Sequence, residues 1–357
     1  MDQVLNISRI ILLSLVWVLG SCQVKKNTSA NGSQSKQIID GVSFVSSPQK
    51  PTQATFAAIK KINAGWVSFM PYAFCFKGST RIRFDTERQW WGEKTEGIIE
   101  YVKQARQEKL QIMLKPHLWI IRGGFTGKLT FDQPEKWQQW ETSYQEYILH
   151  YARLADSLKI EIFCLGTELE SFVKARPQFW PSFIKAVKKV YKGKLTYAAN
   201  WDEYKRFPYW DQMDYIGIDA YFPLSDAKTP TMVALKQGWQ RWLQEMKQVQ
   251  VKHQKPILFT EFGYRSIYHT AKEPWVSSDQ TQPVHFEGQS NALEALFQNL
   301  SPQPWFAGGF IWKWYGLNSY YRRIDSKTNR GYTPQGKPAE KILKKWYTKF
   351  GQEVAKE

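Results

Sequence analysis

Cysteine is scarce in this sequence: three residues among 357, at positions 22, 75 and 164. That excludes a disulfide-stapled scaffold, which needs a dense set of them. Cys75 and Cys164 sit in apolar runs and read as buried small residues, with pairing between them left open. Histidine and cysteine nowhere recur at zinc-ligand spacing, so no metal is expected in catalysis, and no cofactor is implied. A Gly-rich phosphate loop after the first strand is also missing, which argues against a doubly wound nucleotide-binding sheet. Acidic residues are outnumbered, 32 Asp and Glu against 49 Lys and Arg, for a net charge of +17. Such a balance raises nucleic-acid binding. Yet the basic residues are scattered, many on polar faces of expected helices, as at Lys185, Lys188 and Lys189, and no recognition motif accompanies them. A solvated basic surface is the better reading, and nucleic acid is not an expected partner.

Long hydrophobic runs are missing too, with one short exception. Residues 10–20 form an apolar stretch too short to span a bilayer comfortably, behind Arg9 and an offsetting Asp2. Leu19-Gly20-Ser21-Cys22 then resembles a bacterial lipobox, in which Cys22 becomes the lipidated first residue after cleavage. The alternative is a plain signal peptide with an incidental cysteine. Residues 23–37 are polar, aperiodic and rich in Ser, Asn and Lys, the composition of a flexible tether. The expected organisation is a lipoprotein signal peptide over 1–22, a tether over 23–37 and one catalytic domain over 38–357. It describes an exported monomer, lipid-anchored to the bacterial outer membrane on its periplasmic side or at the cell surface. No repeat or second domain is visible.

Aromatic residues, in contrast, are abundant. Seventeen Trp, 18 Tyr and 21 Phe exceed what a core needs, so some are expected to face a ligand. From residue 41 onward, short β-rich runs alternate with helical patterns. The strand candidates are GVSFVSS, GWVSFMPY, QIMLKPHLWI, IEIFCLGTE, LTYAAN, MDYIGIDAYF, PILFTEFGY and FAGGFIWKW. Most are near-continuous apolar runs, as strands buried on both faces of a parallel sheet should be. Between them, Ile98, Ile99, Val102 and Ala105 fall on one helical stripe, as do Phe179, Phe183, Val187 and Val190. Asp132 with Glu135 marks a helix start. Eight such units predict an α/β fold, a single (β/α)8 TIM barrel.

In that barrel the C-terminal strand ends form the active-site face. Here they read Lys115-Pro116-His117, Gly166-Thr167-Glu168, Asn200-Trp201, Asp219-Ala220-Tyr221, Thr260-Glu261-Phe262 and Trp312-Lys313-Trp314. Glu168 ends the fourth strand and Glu261 the seventh, across the barrel mouth from each other. Two such carboxyl groups are what glycosidic cleavage requires: one protonates the departing oxygen, and the other attacks the anomeric carbon or activates water. Glu170, two residues beyond Glu168, competes as the acid or as a ligand for sugar hydroxyls. For His117, direct sugar contact and a satisfied buried imidazole both stay open, and Lys115 stands beside it. Trp90, Trp91, Trp119 and Trp201 lie in or near strand-end loops, where each lines a further subsite or simply packs.

The runs FCLGTELESF, YIGIDAYFP, PILFTEFGYRS and GGFIWKWY, in this order, resemble clan A glycoside hydrolases, and most of all family 113, known for endo-β-1,4-mannanase activity. The resemblance extends from about Gly41 to Trp346. It implies Glu168 as general acid/base, Glu261 as nucleophile, and retention of configuration through a glycosyl-enzyme. It also implies that Tyr221 hydrogen-bonds the nucleophile and that a strand-eight tryptophan floors the sugar, Trp312 in preference to Trp314. Many clan members carry Asn immediately before the acid/base. Thr167 stands there instead, so grip on the sugar 2-hydroxyl passes to Thr167 itself or to another group such as Asn200. The implied partner is a β-linked polysaccharide, mannan or glucomannan first. A β-glucan substrate, or a non-catalytic glycan-binding lipoprotein, are the alternatives.

Overall fold

A computed structural model describes residues 38–277, 281–316 and 328–355; the segments expected as signal peptide and tether, with Cys22, lie outside the described residues. Eight parallel strands close into a barrel: β1 (Ile39–Val45), β2 (Trp66–Phe69), β3 (Gln111–Leu114), β4 (Ile162–Thr167), β5 (Lys194–Asn200), β6 (Ile216–Asp219), β7 (Ile257–Phe262) and β8 (Phe306–Tyr315). Their order around the wall is β1-β8-β7-β6-β5-β4-β3-β2. Each falls within or close to an expected run, and β7 is buried along its whole length. Inside, Ile39, Trp66, Met113, Ile162, Leu258 and Phe310 plug the N-terminal half of the barrel. Two residues further along their strands, the same inward positions carry Ser68, Lys115, Cys164 and Thr260, all fully buried. The interior therefore turns polar toward the mouth.

Around the wall pack α1 (Gln53–Lys60), α2 (Thr95–Gln107), α3 (Pro134–Ser157), α4 (Glu170–Ala175), α5 (Phe179–Val190), α6 (Met232–His253), α7 (Phe286–Leu300) and α8 (Pro338–Ala355). One expected unit differs. Between β5 and β6 the described chain forms no α-helix, only a 3-10 turn at Trp210–Gln212. Pro208 interrupts that stretch, and aromatic packing replaces the helix: Phe207 stacks on Tyr197 at 4.2 Å and Trp210 is fully buried. Helix α2 buries Ile98, Tyr101, Val102 and Ala105, but leaves Ile99 at 42% exposure, because the next residue on a helix turns about 100° away. Helix α3 begins at Pro134, with Gln133 rather than Asp132 at its N-cap. Lys185, Lys188 and Lys189 are exposed, and Cys75 and Cys164 are free buried thiols. Among the described residues, no helix is long and apolar enough to cross a membrane.

Two expected strands are cut short at a proline in the wall. β2 stops before Met70-Pro71 and β3 before Lys115-Pro116. Proline has no N–H for the ladder, so each run breaks there. Beyond the breaks the chain pairs again, as a separate parallel ribbon of Tyr72–Phe76 with His117–Ile121.

Candidate active site

Glu261, on β7, is 6% exposed and fully engaged. Its Oε1 accepts from Lys115 Nζ at 2.6 Å and its Oε2 from Tyr221 Oη at 2.8 Å. Lys115 Nζ also donates to Asp219 Oδ1 at 2.7 Å, which accepts from Thr260 Oγ1 at 2.7 Å as well. One buried cation thus serves two carboxyl groups. Burial alone would raise both. At Glu261 the Lys115 ammonium and the neighbouring His117 outweigh burial and hold the carboxyl at about 2. At Asp219 burial and the negative charge of Glu261 prevail, pushing it up to about 7. The charge is therefore concentrated on Glu261. His117 Nε2 stands 3.4 Å from Glu261 Oε1, and burial lowers its pKa, leaving a neutral ring. That ring lies parallel to Trp312, 6.2 Å between centroids.

Glu168 immediately follows β4, and its N–H donates to Ala198 O at 2.8 Å. Its backbone is left-handed, φ +50°, a conformation that non-glycine residues hold only when their surroundings fix it. The surroundings are specific. The next N–H, that of Leu169, donates to Tyr197 Oη at 2.6 Å. Tyr197 Oη donates to Glu203 Oε1 at 2.7 Å, and Glu203 Oε2 accepts from Asn200 N–H at 3.1 Å. Gly166 makes room for this network, since a Cβ there would stand 2.8 Å from Tyr144 Oη and 3.0 Å from the Tyr197 ring. Burial, then the negative charges of Asp219 and Glu261, raise Glu168 well above the usual carboxylate range. A protonated and an ionised carboxyl group face the same space.

That space is a cleft of about 570 Å³, lined by Glu168 and Glu261 together with Asn200, Trp201, Tyr221 and Trp312. Other expected residues lie elsewhere. Lys115 is wholly buried and touches the carboxyl groups, not a sugar. Glu170 opens α4 and pairs with Arg206 beside a different cavity, because the left-handed turn at Glu168 ends the strand's alternation. Trp314 is 2% exposed in the core. Val42 opposes Ile311 but Phe44 opposes Trp314, and this skip in pairing separates the directions of Trp312 and Trp314. Thr167 is absent from the cleft lining, and its hydroxyl is buried without a hydrogen-bond partner. Trp91 packs on the core against Tyr101, while Trp90 and Trp119 are 40% and 58% exposed. Sequence reading missed Phe125, Lys128, Trp275 and Tyr332, all on the cleft wall. They come from long loops without periodicity, which carry no signal of where they fold back. Asp219 had one: a carboxylate ending an apolar strand.

Paired carboxyl groups held in opposite protonation states at a barrel mouth, with an indole beside them, define a glycoside hydrolase. The comparisons narrow the class. The chain belongs to glycoside hydrolase family 113, whose model matches residues 47–337. Among solved structures it is similar to the GH113 β-mannanase AaManA from Alicyclobacillus acidocaldarius, with a TM-score of 0.76 and 23% identity over 88% of this chain and 98% of that one. A second GH113 β-1,4-mannanase, solved as a complex, has the same score and identity over 87% and 99%. The β-glucuronidase of Faecalibacterium prausnitzii shares the fold more distantly, with a TM-score of 0.57 and 13% identity over 88% of this chain and 49% of that one. No curated protein matches by sequence.

Proposed function

We propose that the protein is a retaining endo-β-1,4-mannanase acting on mannan or glucomannan. The observation that carries the acid and nucleophile assignment is the division of charge, with Glu261 held beside the Lys115 ammonium and Glu168 buried among negative neighbours, and retention follows from membership of the family. Glu168 gives its proton to the glycosidic oxygen as Glu261 attacks the anomeric carbon, and the C–O bond to the leaving chain breaks. The product is a glycosyl ester of Glu261. Esterification removes the charge that helped raise Glu168, which now takes a proton from water as that water opens the ester. Tyr221 steadies the attacking carboxylate, and Trp312 offers a flat face to the ring. The substrate follows from membership of the family and from the mannanases that share the fold.

The test is hydrolysis of a polysaccharide panel that includes glucomannan. Wild type should cut mannans, and Glu261→Ala should not. Azide should rescue Glu261→Ala to an inverted glycosyl azide and Glu168→Ala to a retained one. A panel left uncut by wild type, or rescue with the opposite stereochemistry, overturns the assignment. We also propose, from the lipobox-like Leu19-Gly20-Ser21-Cys22, that Cys22 is the lipidated residue of an exported, outer-membrane-anchored monomer. Its processing should be sensitive to globomycin, and Cys22→Ala should abolish that processing.

A further inference from the structure

The ribbon beyond β2 and β3 has two unlike faces. Ala73 and Cys75 are buried in the core, and Leu118 and Ile120 pack against it. Strand alternation puts Tyr72, Phe74 and Phe76 on the other face, with His117, Trp119 and Ile121 on the partner strand. The parallel register sets them side by side, Tyr72 by His117, Phe74 by Trp119, and Phe76 by Ile121. Ring contacts agree: Tyr72 lies 5.1 Å from His117 and 6.5 Å from Phe74. The inner end belongs to the active site, where His117 stacks parallel to Trp312 and approaches Glu261. Outward, the rings emerge into solvent. The His117 side chain is 12% exposed, Phe76 49% and Trp119 58%.

We propose that this face is a carbohydrate-binding track that carries the polysaccharide chain outward from the catalytic cleft. The inference rests on the proposed function and extends it, assigning Phe74, Phe76 and Trp119 as substrate contacts beyond the cleaved bond. A row of half-exposed rings continuous with the cleft matches a linear chain of pyranoses, whose C–H faces pack on aromatic surface while their hydroxyls stay in water. From Tyr72 to Phe76 the strand advances roughly 13 Å, long enough for more than one sugar ring. On the other side of the barrel, the loops after β5 and β7 bring Trp201 and Trp275 into a stack at 4.9 Å in the cleft. In the strand order, β2 and β3 lie opposite β6 and β7. Aromatic support on both sides of the glutamates is what cleavage within a chain requires.

Kinetics of Trp119→Ala, Phe76→Ala and the double variant on manno-oligosaccharides of increasing length, and on a short aryl mannoside, test the track. The ratio of kcat/KM for the hexasaccharide to that for the aryl mannoside should fall roughly tenfold, mainly through KM. An unchanged ratio overturns the proposal, as does an equal loss on both substrates. Retardation in native gels containing β-glucan, mannan or glucomannan separates the track from the mannanase reading. If wild type cuts no mannan yet one polysaccharide retards it and not the double variant, only the substrate assignment falls. Retardation by none, or aromatic-dependent binding to anionic phospholipid vesicles with unaltered oligosaccharide kinetics, sinks the track itself.

Discussion

Lys115 divides the work of two chemically identical side chains. Its ammonium is buried between Asp219 and Glu261, and their negative charges keep it protonated against burial. Removing it leaves two buried carboxyl groups facing each other, an arrangement that costs on the order of 3–5 kcal/mol. In Lys115→Met, therefore, Glu261 should rise from about 2, and the acid limb of kcat/KM, which reports its ionisation, should move to higher pH. An unmoved acid limb in a folded variant would rule out Lys115 as the group that keeps Glu261 charged. Glu203 acts at one remove: through Tyr197 it fixes the peptide after Glu168, and it also holds the Asn200 N–H. Glu203→Leu leaves both donors, the Tyr197 hydroxyl and the Asn200 N–H, without an acceptor. Hydrolysis of a substrate with a poor leaving group should slow roughly ten- to hundredfold. A dinitrophenyl glycoside, whose departure needs no proton, should be nearly spared in its glycosylation step. Equal slowing on both would mean a purely structural role.

At the scale of the element, the barrel strands were legible because most are short, near-continuous apolar runs, and Glu168 and Glu261 stood out as carboxylates ending two of them. The turns beyond the strand ends were not legible. Glu170 looked like a second cleft residue by alternation, but the left-handed turn at Glu168 had already ended the strand. The partnership of Lys115 with Glu261 joins positions 146 residues apart and exists only once the barrel closes. The aromatic ribbon was hidden because one of its strands was read as the tail of the run QIMLKPHLWI, while the other lies mostly beyond the run GWVSFMPY, although Pro71 and Pro116 marked the breaks. Closure itself depends on β8. Gly308 there has φ +104°, and a Cβ would stand 2.2 Å from Ile39 O on β1. Gly308→Ala meets both a disfavoured backbone and a strand it cannot displace, so unfolding in denaturant should show a loss well above about 1 kcal/mol. A loss within about 0.5 kcal/mol would mean that the β1–β8 seam can open to admit a methyl group.

At the scale of the whole molecule, the same burial that creates the acid/base leaves an unusual set of protonated carboxyl groups. Burial is the leading cause in each case: Asp40 is pushed up to about 7, Glu93 to about 7 and Glu203 to about 8. In the unfolded chain, carboxyl groups titrate near 4. Between about pH 4.5 and 8 these groups bind more protons in the folded state than in the unfolded one, so their contribution to stability falls as pH rises through that window. Glu261 works in the opposite sense, but its contribution is complete above the unfolded carboxylate range and is flat here. Lys337, held by Ser266, Asn329 and Gly331 with burial lowering it to about 7, adds stability only as pH climbs beyond that. Burial lowers His117 and His150, which works against the fall, but that gain is complete once pH passes the free imidazole range near 6.5. Calorimetry should thus find Tm dropping from about pH 6.5 to pH 8 and then levelling. Asp40 lies at the start of β1, at the opposite end of the barrel from the cleft, and its Oδ1 accepts from Gly65 N–H at 2.9 Å. Asp40→Asn keeps that acceptor in permanently neutral form, so it should flatten part of the drop while leaving catalysis alone. A Tm that stays level or rises over this range in wild type would show that these carboxyl groups are ionised in the folded protein.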